Sequence, residues 1–290
     1  MSLATRCLPP AGALAATVLL AGCGALGGDQ VPDGRRAVAS FYPLAWVTEQ
    51  VAGDGWTVDN LTRPGQEPHD LALTIAQTAA LEDARLIVLE EGFQPAVDAA
   101  AEGSDAPVVD AAAVVDLREA GPHFWLDPLL VADFGDAVAD ELADIDPDGA
   151  TTFADNAAAL RTELESLDRD YSDGLAGCER TTTVVSHDAF GYLARYGLDF
   201  EPIAGLSPDA EPTAADLGRL QSLIGSDGVT TVFSERLVIP KMAETLADDL
   251  GVTTAVLDPL EGLSEETSDE DYLSLMRANL TALQAANGCT

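Results

Sequence analysis

From residue 37 onward the chain alternates short apolar, β-branched runs with stretches of helical periodicity. AVASFY (37–42), WTVDNL (56–61), RLIVLE (85–90) and APVVDA (106–111) read as strands, because β-branched and apolar positions cluster between turn residues. Between them, LAWVTEQVA (44–52) and DLALTIAQTAALED (70–83) space apolar residues three and four apart and predict helices. The pattern changes after residue 127. DPLLVADFGDAVADELADI predicts an amphipathic helix, and PDGATTFADNAAALRTELESLDRDYSDGLAG a longer one, with Asp146-Pro147 between them and Pro147 suited to a helix start. Alternation then resumes with strands at TTTVVSH (181–187), LDFEPIA (198–204), VTTVFSE (229–235) and TTAVLD (253–258). AADLGRLQSLIG, IPKMAETLADDL and DEDYLSLMRANLTALQAANG supply the helices of this half. Two βα-alternating halves around a helical middle predict an α/β fold of two lobes, each with a mostly parallel sheet flanked by helices.

The first residues follow a different logic. Arg6 precedes the apolar run AGALAATVLL (11–20), which is too short to span a membrane. The run ends in Leu20-Ala21-Gly22-Cys23, which resembles the bacterial lipobox, where cleavage precedes a cysteine that receives lipid. Residues 1–22 are therefore expected to be a lipoprotein signal peptide and Cys23 the lipid anchor, on the outer face of the cell membrane. The Gly-, Pro- and Asp-rich residues 23–36 read as a flexible tether. Residues 22–27 formally match G-x-G-x-x-G, but no strand precedes them and no helix follows, so the dinucleotide-binding context is missing.

Charge narrows the partners. With 14 Lys+Arg against 50 Asp+Glu, the formal net charge is -36, and Lys241 is the sole lysine. Nucleic acid is excluded as a partner, since phosphate binding needs a basic face. Of the 4 cysteines, Cys7 leaves with the signal peptide and Cys23 takes the lipid. Cys178 and Cys289 remain, an even pair in an oxidising compartment, which points to a disulfide, with two separate thiols as the alternative.

The chain has 3 histidines, each at a strand end or in a connecting loop: His69 in RPGQEPHDLAL, His123 in GPHFWLDP and His187 ending TTTVVSH. In open α/β sheets, ligands bind outside the carboxyl ends of the strands. Two histidines fall in the first lobe and one in the second, so a shared ligand would sit in the cleft between lobes. Three neutral imidazoles and one carboxylate form a good tetrahedral set for zinc. Asp258, Glu235 and Glu67 are the candidates for the acid, the first two ending strands of the second lobe.

GQEPHDLAL, GPHFWLDP, SHDAFGYLARYGL and SER…IPKMAETLADDLG, in this order, resemble the zinc/manganese family of ABC-transporter solute-binding lipoproteins. That resemblance covers nearly all of residues 37–290. It implies an N-terminal lobe (37–147), one long linker helix (148–177) and a C-terminal lobe (178–290), with a divalent metal bound between the lobes and delivered to a membrane permease. It further implies metal ligation by His69, His123 and His187, with Asp258 as the best match for the fourth position and Glu235 supporting the site from behind. Histidine at position 187 resembles zinc-type members, whereas manganese-type members carry Glu there. The long His-rich loop of many zinc-type relatives is missing, since VVDLREA (114–120) contains no histidine. Nitrogen-rich sites favour zinc over manganese, which leaves manganese as the alternative cargo.

A closed four-ligand site has no open position for a catalytic water, so the expectation is a binding protein and not an enzyme; the family resemblance implies a monomer. A zinc hydrolase using the same ligands is the alternative from another class. Against it, the chain has no H-E-x-x-H and no acid clearly placed as a base.

Overall fold

The computed structural model describes Met1 and residues 34–115, 117, 121–208 and 210–290. The expected signal peptide, Cys23 and the tether up to residue 33 lie outside the described residues. In the first half, strands β1 (Arg36–Ala39), β2 (Thr57–Asn60), β3 (Leu86–Leu89) and β4 (Val108–Asp110) alternate with helices α1 (Tyr42–Ala52), α2 (Ile75–Glu82), α3 (Pro95–Ala101) and α4 (Ala111–Val114). The middle is α5 (Pro128–Ile145) followed by α6 (Ala150–Leu175). In the second half, β5 (Thr182–Val185), β6 (Asp199–Pro202), β7 (Thr231–Ser234) and β8 (Thr253–Val256) are accompanied by α7 (Ala214–Asp227), α8 (Lys241–Leu250) and α9 (Tyr272–Asn287).

Each lobe holds one four-stranded sheet, in the orders β2-β1-β3-β4 and β6-β5-β7-β8, and every pairing is parallel. Register is set by the apolar runs: Ala37 pairs Val58 on one side and Leu86 on the other. The central strands β3 and β7 are buried along their whole length, because helices cover both faces of a parallel sheet, while the edge strands β2 and β8 are largely not. The two orders are equivalent, so the lobes share a topology although no sequence repeat connects them.

One helix binds the halves. α6 buries Phe153, Ala157, Leu160, Leu164, Leu167, Tyr171 and Leu175, a stripe spaced three and four apart. At 26 residues it is about 39 Å long, enough to run along both lobes. Its stripe belongs to one continuous core that takes in Val47 and Phe134 of the first half and Tyr272 and Leu283 of the second. Arg161 fastens α6 to α5 through Asp133 (2.8 Å) and Asp136 (2.5 Å), and the Tyr171 hydroxyl donates to the Met276 carbonyl at 2.7 Å. Separate cores lie beneath α2 and α3 in one lobe and beneath α7 and α8 in the other. Cys178, just past α6, forms a disulfide with Cys289, just past α9.

Local differences from the sequence reading have clear causes. The helix expected from residue 70 begins at Ile75, because Thr74 and Gln77 form a reciprocal capping box there. Residues 70–74 stay in the loop that carries His69. Helix α3 and the 3-10 turn Phe190–Tyr196 were not legible from periodicity; both are only 7 residues long. Among the described residues no helix is long and apolar enough to cross a membrane.

Candidate metal centre

Four loops that leave the carboxyl ends of the strands meet between the lobes. His69 lies in the loop after β2, His123 just before the 3-10 turn Phe124–Leu126, His187 two residues past β5, and Glu261 in the loop after β8. The three Nε2 atoms converge on one carboxylate oxygen. Glu261 Oε1 lies 3.2 Å from His69, 2.9 Å from His123 and 3.4 Å from His187. His123 and His187 are fully buried, Glu261 is 2% exposed, and the His69 side chain, at 14%, is the one that faces outward. Among the described residues this is the only group of three or more His, Cys, Asp or Glu whose ligand atoms all lie within 4.8 Å of one another.

Each loop is held by named contacts. For His69, the Gln94 amide donates to the Pro68 carbonyl (3.0 Å) and to the Thr62 hydroxyl (3.1 Å), which itself donates to the Ser40 carbonyl (2.8 Å). The Gly65 N–H crosses to the Leu263 carbonyl at 2.6 Å from a backbone with φ 82°, a conformation that suits glycine. His123 is fixed by its neighbour Trp125, whose indole donates to the Pro259 carbonyl at 2.7 Å while its own carbonyl accepts from the Tyr272 hydroxyl at 2.6 Å. Asp127 caps α5 and pairs with Arg195 of the second lobe at 2.7 Å. Phe93 packs edge-on against His69, and Trp125 against His123.

His187 has a partner behind it. Glu235 Oε1 lies 2.6 Å from Nδ1 and also accepts from the Ser186 hydroxyl. A carboxylate only accepts, so Nδ1 carries the hydrogen and Nε2 is left facing the other ligands. Burial works against the charged form of His187, yet its hydrogen bonds and proximity to Glu235 and Glu261 raise the pKa to about 10. His69 is also raised, Glu261 and Glu67 outweighing its burial, whereas burial dominates at His123 and lowers it. Burial would raise Glu261, but the three imidazoles hold its carboxyl well below the usual range.

The structure brings together His69, His123 and His187 but puts Glu261, not Asp258, among them. The Asp258 carboxylate is turned away: it accepts from the Leu260 N–H at 2.9 Å and pairs with Arg236 at 3.1 Å. Glu67 is no fourth member either, since both its oxygens accept from the His69 N–H and it stands 3.8 Å from Nε2. Sequence reasoning missed Glu261: β8 ends at Val256, so Asp258 and Glu261 both lie in the loop beyond it, and spacing alone does not separate them.

The family profile described as "ZnuA: Zinc-uptake complex component A periplasmic" matches residues 37–286. The high-affinity zinc uptake system protein ZnuA of Bacillus subtilis (strain 168) is 33% identical over 282 residues, 88% of each chain. The zinc-binding lipoprotein AdcA of Streptococcus pneumoniae (strain ATCC BAA-255 / R6) is 34% identical over 279 residues, 87% of this chain; the chain spans 56% of AdcA's length. The crystal structure of the Zn(II)-bound ZnuA-like domain of S. pneumoniae AdcA superposes with a TM-score of 0.77 at 36% identity, covering 87% of this chain and 98% of that one.

Proposed function

The chain belongs to the family of the periplasmic zinc-uptake complex component A, and from that membership we propose that it captures Zn²⁺ between its lobes and hands it to an ABC permease. The observation that carries this reading is the convergence of three imidazole nitrogens and one carboxylate oxygen in a buried cluster. His69, His123, His187 and Glu261 replace the water shell of the ion, and three nitrogens with one oxygen favour zinc over manganese. His69 and His187, held toward their protonated forms by the neighbouring carboxylates, release protons as the ion enters, whereas His123, held neutral by burial, does not. Glu235 orients His187 from behind, as carboxylates commonly do for zinc-ligating histidines.

Binding and release are the function, with no chemical step. The carboxylates nearest the cluster serve its loops: Glu235 accepts from His187 and Ser186, and Glu67 from the His69 N–H. The protein works outside the cytoplasm, held at the membrane through lipid on Cys23, as a monomer that meets its permease after loading.

Metal analysis after chelation and reloading in an equimolar zinc/manganese mixture tests the reading. The expected result is one equivalent of zinc, lost in His187→Ala and strongly weakened in Glu261→Ala. Preferential manganese, or full zinc retention in Glu261→Ala, would overturn the assignment of the site.

A further inference from the structure

Glu261 is delivered by a segment under local strain. Leu260, which precedes it, has φ 58°, and among the described residues it is the only non-glycine with positive φ. In that left-handed region the side chain crowds the following carbonyl, which is why glycine and asparagine dominate there and leucine is rare. A leucine stays only where its surroundings over-determine it. Here its side chain is fully buried, and its N–H donates to Asp258 Oδ1 at 2.9 Å.

Asp258 is in turn held on every side. Asn279 of α9 brackets its backbone, accepting from the Asp258 N–H at 2.9 Å and donating to its carbonyl at 2.6 Å. Arg236 Nε reaches Asp258 Oδ2 at 3.1 Å. The next carbonyl, that of Pro259, takes the Trp125 indole. Three residues from elsewhere in the chain thus fix the segment between β8 and Glu261.

We propose that Asp258 is a positioning residue whose carboxylate, steadied by Arg236, holds Leu260 in the left-handed turn that aims Glu261 at the three histidines. Asp258 thereby sets zinc affinity without touching the metal. This rests on the reading of Glu261 as the carboxylate ligand.

The test is a double-mutant cycle on the full chain, with zinc affinity measured by chelator competition. Asp258→Ala is expected to weaken zinc about 10-fold, the lower end for groups that orient a ligand. Asp258→Asn keeps an acceptor for the Leu260 N–H but loses the ion pair with Arg236, so it is expected to fall between Asp258→Ala and the wild type. Leu260→Gly adopts the turn without the steric penalty, so Asp258→Ala should cost clearly less in the Leu260→Gly background, the non-additivity expected of residues in contact. An equal loss in both backgrounds overturns the proposal. So does Asp258→Asn as damaging as Glu261→Ala, which would make Asp258 itself a ligand. Zinc binding untouched by Glu261→Ala would instead identify a failure of the underlying site assignment. Should Asp258→Ala not fold, Arg236→Gln carries the same test: a loss that Leu260→Gly rescues supports the proposal, and no loss overturns it.

Discussion

Zinc affinity should fall steeply in acid, and His187 sets the slope. With a pKa raised to about 10, its imidazole is protonated in the metal-free protein at pH 8 and at pH 6 alike. The incoming ion must displace that proton, and each unit of pH below the pKa makes the displacement tenfold harder, about 1.4 kcal/mol. From pH 8 to pH 6 this residue alone weakens zinc about 100-fold, or about 2.7 kcal/mol. His69, also raised by Glu261 and Glu67, adds to the loss, while His123, lowered by burial, contributes less than an ordinary histidine would. Glu261 stays ionised throughout. The control is Glu235→Gln, which removes the charge that stabilises the His187 imidazolium while leaving its burial. That variant should bind zinc more weakly at pH 8, by about 10-fold, because a neutral amide oxygen still orients the imidazole but makes it a weaker ligand than a carboxylate does. Its decline from pH 8 to pH 6 should nevertheless be shallower. The assay is competition against a chromophoric chelator of known proton affinity at constant ionic strength. A wild-type affinity flat across this window, or an equal slope in Glu235→Gln, would refute the argument.

Two further outcomes concern stability. Cys178→Ser/Cys289→Ser removes a bridge between residues 111 apart, which on the chain-entropy model costs up to about 4.7 kcal/mol. Thermal melts should show the loss, with zinc affinity retained, because the bridge lies before β5, at the opposite end of the sheet from the site. Leu164→Ala empties a fully buried position on α6 and should cost about 2–5 kcal/mol by denaturant titration, with one zinc still bound per chain.

The layout of the molecule was written in its periodicities. A parallel sheet covered on both faces needs continuous apolar strands, and RLIVLE and VTTVFSE supply them, so β3 and β7 fell where the pattern put them. The same holds for α6, whose three- and four-residue spacing is required by a helix that buries one stripe. The short elements α3 and Phe190–Tyr196 span too few turns to make a period, and packing alone selects them.

At the site, the sequence by itself determined the three histidines, because imidazoles in loops past strand ends are few and chemically distinctive. It also supplied Glu235 as a supporting acid, which the structure sets against His187 Nδ1. The choice of carboxylate belonged to the tertiary structure. Asp258 and Glu261 are three residues apart with similar chemistry, and spacing along the chain cannot say which of them faces the cleft. That depends on the backbone between them: a left-handed Leu260, its N–H on the Asp258 carboxylate, in a segment fastened by Arg236, Asn279 and Trp125 from distant parts of the chain, turns one acid outward from the cluster and the other into it.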